Sequence, residues 1–195
     1  LDEIITITNA DRNGARGSGS RLGVGTRLSR GELLQLALMS SENRAAQALG
    51  RSYPGGLPVF LRAMNDKAAE LGMTDAKFAD PTGLSSGNVA SARDLVKLVQ
   101  AASGHPLIRR YSTGERHTVK AGRQALEYRN TNALVTKPDW NIAVQKTGFD
   151  YQRDLDRVLA SFRPGGVYIL ARGRFDWTKL EAYAKAIRPV EGQAG

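Results

Sequence analysis

The sequence predicts an α+β protein in which helices pack on an antiparallel sheet. Residues 29–111 carry apolar side chains at helical spacing, whereas the strongest strand patterns lie in the last third of the chain. Helical segments that precede strands in this way are typical of an α+β domain. The length of 195 residues allows one domain with its own core, or one domain with a small appendage.

Composition and charge exclude several classes of protein. The chain has no cysteine, which excludes a disulfide framework and thiolate metal sites. No apolar run approaches the length of about 18 residues that a membrane span needs, so we expect none. The formal net charge is +9, but the basic residues are scattered without interleaved aromatic residues. This pattern favours a solvated basic surface over a nucleic-acid partner.

The first elements follow from local patterns. Residues 4–8 alternate apolar and hydroxyl side chains, which predicts a short strand. Residues 12–25 are rich in Gly, Ser and Arg and predict a loop or hairpin. A Ser-x-x-Glu capping box at residues 29–32 begins a helix that we expect to be buried and continuous through Leu49. The Tyr-Pro-Gly-Gly segment at residues 53–56 ends this helix.

The later elements are predicted in the same way. A second helix is expected over residues 58–71 with Gly72 as its cap, and residues 80–84 predict a turn. A capping-box-like segment at residues 91–94 opens a third helix. Three strand regions and a helix complete the prediction: an irregular hairpin with arms at 118–126 and 128–134, an alternating strand at 140–147, an apolar strand at 167–171, and an amphipathic helix at 177–187.

Two short motifs lie 105 residues apart. Ser41-Glu42-Asn43 is near the end of the apolar helix, and Lys146-Thr147-Gly148 ends the alternating strand. Each motif is common by chance when it occurs alone. In this order, on a helix and then on a strand, they resemble two of the three motifs of the penicillin-binding proteins and serine β-lactamases.

Further stretches extend this resemblance over residues 1–149. The chain resembles the low-molecular-mass penicillin-binding proteins, which are serine D-alanyl-D-alanine carboxypeptidases and endopeptidases, and within them most of all the murein D-alanyl-D-alanine endopeptidases. The supporting stretches occur in order and at matching spacing: residues 36–46, 53–56, 71–74, 80–84, 92–95, 129–132 and 145–149.

The resemblance implies a fold, a substrate and a location. The site would lie in the crevice between the helical part and the sheet edge. The implied substrate is the D-Ala-containing peptide of peptidoglycan, cleaved through an acyl-enzyme without a cofactor, and complete family members react covalently with β-lactams. The implied location is the periplasm or another extracytoplasmic compartment. Residues 1–8 do not have the pattern of a signal peptide, so we expect an export signal upstream of them.

The resemblance also assigns roles to the helix motif. Ser41 would be a proton-shuttling hydroxyl near the nucleophile, and Asn43 would orient the substrate amide and the catalytic lysine. A simpler interpretation is a helix serine that bonds its own backbone and an exposed asparagine at a helix end. The ordered motifs favour the catalytic roles for both residues.

The strand motif would bind the substrate. Lys146 would supply positive charge to the crevice, and Thr147 would offer its hydroxyl to the substrate carboxylate. Gly148 would let the substrate backbone approach the strand, and the N–H of Phe149 would be one oxyanion donor. The simpler interpretation of Lys146 is an edge-strand charge that discourages aggregation.

The third family motif, Ser-x-x-Lys, carries the nucleophile. No serine in this sequence has lysine three positions later. In the family this motif lies upstream of the segment that residues 1–8 resemble, so we expect the chain by itself to be inactive. Two alternatives remain open at this point, a non-catalytic peptidoglycan-binding pseudoenzyme and a truncated hybrid product.

The C-terminal part departs from the family pattern. Residues 1–149 are predicted to be the peptidase-like domain, and residues 150–195 an atypical strand–helix tail. This tail would either complete the sheet or be a fused foreign module. His105 and His117 are expected in loops without metal-ligand spacing, so we assign them no catalytic role and predict no metal.

Overall fold

The computed structural model of the protein describes residues 1–12, 19–138, 141–151, 155–163 and 166–172. In these residues the chain forms helices, strands and two short 3-10 turns. The elements in order are β1 (Ile4–Thr6), a 3-10 turn (Asn9–Asp11), β2 (Arg27–Ser29), α1 (Arg30–Ser40), α2 (Asn43–Arg51), α3 (Gly56–Glu70), α4 (Ala92–Ser103), α5 (Pro106–Thr113), β3 (Arg116–Ala121), β4 (Gln124–Arg129), a second 3-10 turn (Ala133–Thr136), β5 (Ile142–Tyr151), β6 (Leu155–Arg163) and β7 (Gly166–Arg172).

The capping box before α1 is confirmed, but the prediction of one continuous helix is wrong. Ser29 Oγ accepts the N–H of Glu32 at 3.1 Å, and Glu32 Oε2 accepts the N–H of Ser29 at 2.8 Å. Helix α1 then ends because Ser41 adopts a left-handed conformation with φ 54° and ψ 39°. The Glu42 carboxylate begins α2 by accepting the N–H of Arg44 at 3.3 Å.

The other predicted helices and the turn are present with shifted boundaries. Helix α3 begins two residues earlier than expected, after Gly55 in a left-handed conformation. Ser91 caps α4 by accepting the N–H of Asp94 at 3.2 Å. Asp80 holds the predicted turn, because its Oδ1 accepts the N–H groups of Thr82 and Gly83 at 3.1 and 2.8 Å. No helix in the described ranges is long and apolar enough to cross a membrane.

The first two sheets are antiparallel pairs. β1 pairs with β2, and β3 pairs with β4 from Arg116↔Arg129 to Ala121↔Gln124. The predicted hairpin arms at 118–126 and 128–134 are wrong, because the chain reverses at residues 122–123. Gly122 there has φ 64°, a conformation that glycine adopts without the steric cost of a Cβ. His117 lies inside β3 and not in a loop.

The third sheet has the order β5-β6-β7 with antiparallel pairing. β7 lies where residues 167–171 predict a strand, whereas β6 was not predicted. β6 has two charged residues directly after Leu155 and lacks strict alternation, so its strand character comes from pairing on both sides. β5 runs across the expected boundary at residues 149 and 150, and the division into two domains stays a prediction. The expected helix at 177–187 lies outside the described residues.

One apolar cluster joins the N-terminal strands, α1, α2 and the β3–β4 hairpin. Leu33, Leu36 and Met39 form the buried side of α1 and are fully shielded from solvent. They pack with the other members of the cluster, which are Ile5, Ile7, Leu22, Leu28, Ala45, Ala48, Val119 and Tyr128. The junction between α1 and α2 is therefore held from several sides by the core.

A buried ion pair fastens the turn after β1 to the end of α2. Asp11 is fully buried, and its two carboxylate oxygens lie 2.7 and 3.0 Å from Nε and Nη2 of Arg51. Asp11 Oδ2 also accepts the N–H of Thr8 at 2.7 Å. The hydrogen bond from Arg51 to Asp11 raises the pKa of the Arg51 guanidinium.

Removal of the Asp11 carboxylate should destabilise the fold. We expect Asp11→Ala to lower the free energy of unfolding by roughly 2 kcal/mol, because it leaves a partly buried guanidinium and a backbone N–H without their acceptor. Glu70→Ala is the control, since Glu70 pairs with Lys67 on the exposed side of α3 and such pairs contribute less than about 1 kcal/mol. Denaturant unfolding measures both variants, and equal losses would contradict this assignment.

Candidate active site

Ser41 occupies a strained corner between α1 and α2. It is the only residue other than glycine with positive φ in the part of the chain that the structure describes. A left-handed conformation costs a residue with a Cβ about 1–2 kcal/mol, and such strain persists where the surrounding structure enforces it. The N–H groups of Ser41 and Glu42 both donate to the carbonyl of Leu36, which fixes the turn.

Asn43 begins α2 on the other side of this corner. Its Oδ1 is shielded from solvent and has no hydrogen-bond partner among the described residues. A buried acceptor without a donor costs about 1–3 kcal/mol, so such an atom calls for an explanation. Asn43 Oδ1 is therefore available to accept a hydrogen bond from a group that binds beside the corner.

Gln145 holds the strand motif next to this corner. Its side chain is buried, and its Nε2 donates to the carbonyl of Met39 at 3.2 Å and lies 3.5 Å from that of Leu38. Its backbone N–H lies 3.5 Å from Ser112 Oγ on α5. β5 is thus in contact with the last turn of α1, two residues before Ser41.

The strand motif follows Gln145 directly on β5. Lys146 pairs with Val158 and Thr147 with Arg157 of β6, and the register becomes irregular between Thr147 and Tyr151. Gly148 and Phe149 lie in this irregular stretch. The side-chain positions of residues 146–149 lie outside what the structure describes, so the convergence of these side chains with Ser41 and Asn43 stays a prediction. The two motifs nevertheless stand on elements that touch.

A contact between the loop after β4 and the end of α1 supports the same junction. The carbonyl of Met39 also accepts the N–H of Thr131 at 3.2 Å. Asn130 next to it donates from Nδ2 to the carbonyls of Ser112 and Gly114 at 2.8 and 2.7 Å. The loop after β4 therefore connects the ends of α1 and α5 and restricts their relative movement.

A charged and aromatic cluster lies behind the corner. Glu42 and Tyr128 are both buried. Burial and then the nearby Glu42 carboxylate raise the pKa of Tyr128 to about 12, against the opposing charge of Arg21. The Arg21 guanidinium lies 4.0 Å from the ring centroid of Tyr128 and donates to the carbonyl of Glu127. Arg44 donates to the carbonyl of Leu22, which holds the preceding loop.

The sequence prediction missed the supporting residues. Glu42 was visible only as the middle residue of Ser-x-Asn, and Gln145 only as the residue before Lys-Thr-Gly. Nothing in the local pattern of Tyr128 connects it with Glu42, which is 86 positions earlier in the sequence. No metal-binding group of three or more His, Asp or Glu occurs in the described residues.

Comparison with solved structures places the fold among the DD-peptidases. The D-alanyl-D-alanine carboxypeptidase of Mycobacterium tuberculosis aligns with a TM-score of 0.75 at 23% identity, over 97% of this chain and 76% of that chain. A variant of a Streptomyces DD-transpeptidase aligns with a TM-score of 0.77 at 24% identity, over 96% of this chain and 81% of that chain. At these identities the likeness establishes the fold alone, and it confirms the predicted α+β class.

Sequence comparison establishes the family. Residues 1–154 match the family described as D-alanyl-D-alanine carboxypeptidase, so the chain belongs to this S11 peptidase family. D-alanyl-D-alanine endopeptidases of Pseudomonas aeruginosa and Escherichia coli are each 46% identical over 151 residues, which are 76% of this chain and 49% of either relative. The Haemophilus influenzae endopeptidase is 39% identical over 207 residues, covering 97% of this chain and 71% of its own length.

The family assignment confirms the resemblance recognised from the two motifs. The chain spans about half the length of the first two relatives.

Loss of the Gln145 side-chain amide should weaken the contact between α1 and β5. We expect Gln145→Leu to lower the free energy of unfolding by roughly 1 kcal/mol, because the carbonyls of Leu38 and Met39 lose a donor while Met39 keeps the N–H of Thr131. Gln100→Leu on the exposed side of α4 is the matched control and should change stability by about 0.5 kcal/mol or less. Denaturant unfolding distinguishes them, and a neutral Gln145→Leu would disprove the importance of this contact.

Titration of Tyr128 should make stability depend on pH in the alkaline range. Its pKa rises from 10.0 to about 12 in the folded protein, so the folded state holds this proton more tightly than the unfolded state. The resulting stabilisation is complete below about pH 10 and is lost as the pH rises towards 12.

We expect the free energy of unfolding of the wild type, relative to Tyr128→Phe, to fall by roughly 2 kcal/mol between about pH 10 and 12. Tyr53→Phe is the control, because Tyr53 is exposed. Denaturant unfolding at a series of pH values provides the measurement. Parallel pH profiles for the wild type and Tyr128→Phe would rule out the proposed titration.

Proposed function

We propose that the chain forms the substrate-binding and proton-transfer part of a serine-type D-Ala-D-Ala peptidase that acts on peptidoglycan peptides. One observation carries this proposal. The strained corner with Ser41 and Asn43 is held by Gln145 against the strand that carries Lys-Thr-Gly. Membership of the family supports the reaction class, and the names of the endopeptidase relatives favour cleavage within cross-linked peptides.

The reaction would proceed through an acyl-enzyme. A serine hydroxyl attacks the D-Ala carbonyl, the peptide C–N bond breaks, and the serine proton passes to the leaving amine; water then cleaves the ester. Ser41 would relay this proton, and Asn43 would orient the substrate amide and the catalytic lysine. The nucleophile would come from a Ser-x-x-Lys segment, which the 195 residues do not contain.

The strand motif would bind the substrate and stabilise the developing oxyanion. The Lys146 ammonium would add positive charge to the crevice, and Thr147 would donate to a substrate carboxylate. Gly148 would allow close approach of the peptide, and the Phe149 N–H would donate to the oxyanion. Because the substrate is part of the cell wall, we also place the protein outside the cytoplasm.

A second candidate function is peptide binding without catalysis. The specific observation that supports it is Asn43 Oδ1, a buried acceptor without a hydrogen-bond partner among the described residues, which can accept a peptide N–H. Such a protein would keep the corner and the strand motif as a binding site and would lack the acylation step.

Covalent labelling with penicillin tests the proposed function. We expect no adduct on the 195-residue chain, and a stoichiometric adduct on a form extended by a Ser-x-x-Lys segment, detected by mass spectrometry. In the extended form Ser41→Ala and Lys146→Ala should each slow acylation by roughly 10²-fold, because proton transfer and charge stabilisation each contribute on that order.

Matched controls are available beside both residues. Ser40→Ala removes a neighbouring hydroxyl that donates to the carbonyl of Leu36, and Lys120→Ala removes an exposed lysine on β3. Both controls should leave acylation unchanged. An adduct on Ser41 in the 195-residue chain would show that the nucleophile is misassigned, and failure of the extended form would favour the binding-only function.

A further inference from the structure

A cavity of about 420 Å³ lies between α5 and the beginning of β5. Helix α5 contributes Pro106, Arg109, Arg110 and Thr113 to its lining, and residues 141–143 form the opposite wall. No carboxylate is among these lining residues. The cavity is therefore a concave site with two cationic side chains and a hydroxyl.

The two arginines differ from the arginines that pair with a carboxylate. Arg30 and Arg51 are paired with Glu3 and Asp11. Neither Arg109 nor Arg110 forms an ion pair or a side-chain hydrogen bond in the described part of the chain. The Arg110 guanidinium lies 5.1 Å from the ring centroid of Tyr111. Two exposed guanidinium groups in one cavity, with no carboxylate paired to them in the described ranges, create a positive potential that attracts anions.

Guanidinium groups are suited to one kind of ligand in particular. Each presents a planar set of N–H donors that matches the two oxygens of a carboxylate. The Thr113 hydroxyl donates its proton to the carbonyl of Arg109 at 2.7 Å, so it is not a donor to a carboxylate, and recognition depends on the two guanidinium groups. A carboxylate held by the two arginines fits this chemistry, whereas a cation does not.

The cavity shares a strand with the candidate active site. Ser112, between the cavity-lining residues of α5, is buried, and its Oγ lies 3.5 Å from the backbone N of Gln145. Ile142 in the cavity wall and Thr147 are five residues apart on β5, which corresponds to roughly 17 Å of extended strand. A D-Ala-D-Ala dipeptide is too short to span this distance, whereas an extended peptide with about five further residues is long enough.

We infer that Arg109 and Arg110 form a carboxylate-binding subsite that selects long, acidic peptides at the candidate active site. This inference rests on the proposed function, because the same peptide is taken to bind along β5. The subsite recognises carboxylates in the arm of the peptide that lies beyond the D-Ala-D-Ala unit. Short peptides and peptides with neutral arms bind without this contribution.

Binding of matched peptides to the 195-residue chain tests the inference. The first probe contains D-Ala-D-Ala between two five-residue arms, each with two glutamates, and the second replaces every glutamate with glutamine. We expect NMR titration to give a dissociation constant about tenfold lower for the glutamate peptide, which corresponds to about 1.4 kcal/mol. The preference should fall as the salt concentration rises.

Charge-matched variants assign the preference to the cavity. Arg109→Ala with Arg110→Ala should abolish it, and Arg109→Lys with Arg110→Lys should retain part of it. Arg62→Ala with Arg123→Ala removes two exposed arginines elsewhere and should leave the preference unchanged. An unchanged preference in the first variant, or its loss in the Arg62 and Arg123 control, would overturn the assignment.

A third probe separates this inference from the proposed function. It keeps the glutamate arms and replaces D-Ala-D-Ala with L-Ala-L-Ala. One outcome would support the subsite and contradict the peptidase proposal. In that outcome the wild type binds the D-Ala and L-Ala peptides equally well, and the Arg109 and Arg110 variant loses the same affinity for both. If the glutamate peptide with D-Ala-D-Ala binds no more tightly than the glutamine peptide, the subsite itself is disproved.

Discussion

The contact between the Gln145 amide and the carbonyls at the end of α1 connects the two halves of the candidate site. A helix leaves its last carbonyls without intrahelical partners, and here a strand residue more than a hundred positions later supplies the donor. Because those carbonyls accept hydrogen bonds from a residue outside the helix, the chain can leave the helix at Ser41. On a continuous helix the side chains of residues two apart are rotated by about 200° around the helix axis, so they point in nearly opposite directions. The left-handed turn at Ser41 removes that constraint for Ser41 and Asn43.

Several buried polar groups around this junction have no hydrogen-bond partner in the described residues. Buried side-chain atoms without partners in the described residues include Asn43 Oδ1, Gln145 Oε1 and Tyr128 Oη. By contrast, Asp80 accepts hydrogen bonds throughout its turn and from Asn88 at 2.6 Å. Unsatisfied groups and a strained serine lower stability at the contact between the end of α1 and β5. Proteins retain such local costs mainly where binding or catalysis needs them.

Charge is also distributed unevenly over the arginines. Where a guanidinium supports the fold it has a carboxylate or carbonyl partner, as Arg51 has in Asp11 and Arg21 has in Glu127. Arg109 and Arg110 lack such partners in the described structure and lie in a cavity beside β5. The net charge of +9 is therefore more than a general property of the surface, since part of it is concentrated next to the strand that carries Lys146.

The sequence by itself determined the α+β class, the capping box at Ser29, the N-cap at Ser91, and the pair of motifs that identifies the family. These features depend on short-range chemistry, because a cap, an amphipathic stripe or a three-residue motif is complete within a few positions. The break at Ser41, the strand β6, the role of Gln145 and the cavity with Arg109 were decided only by tertiary structure. Each depends on partners tens to more than a hundred residues away, and no local pattern encodes which distant carbonyl, strand or charge a side chain will meet.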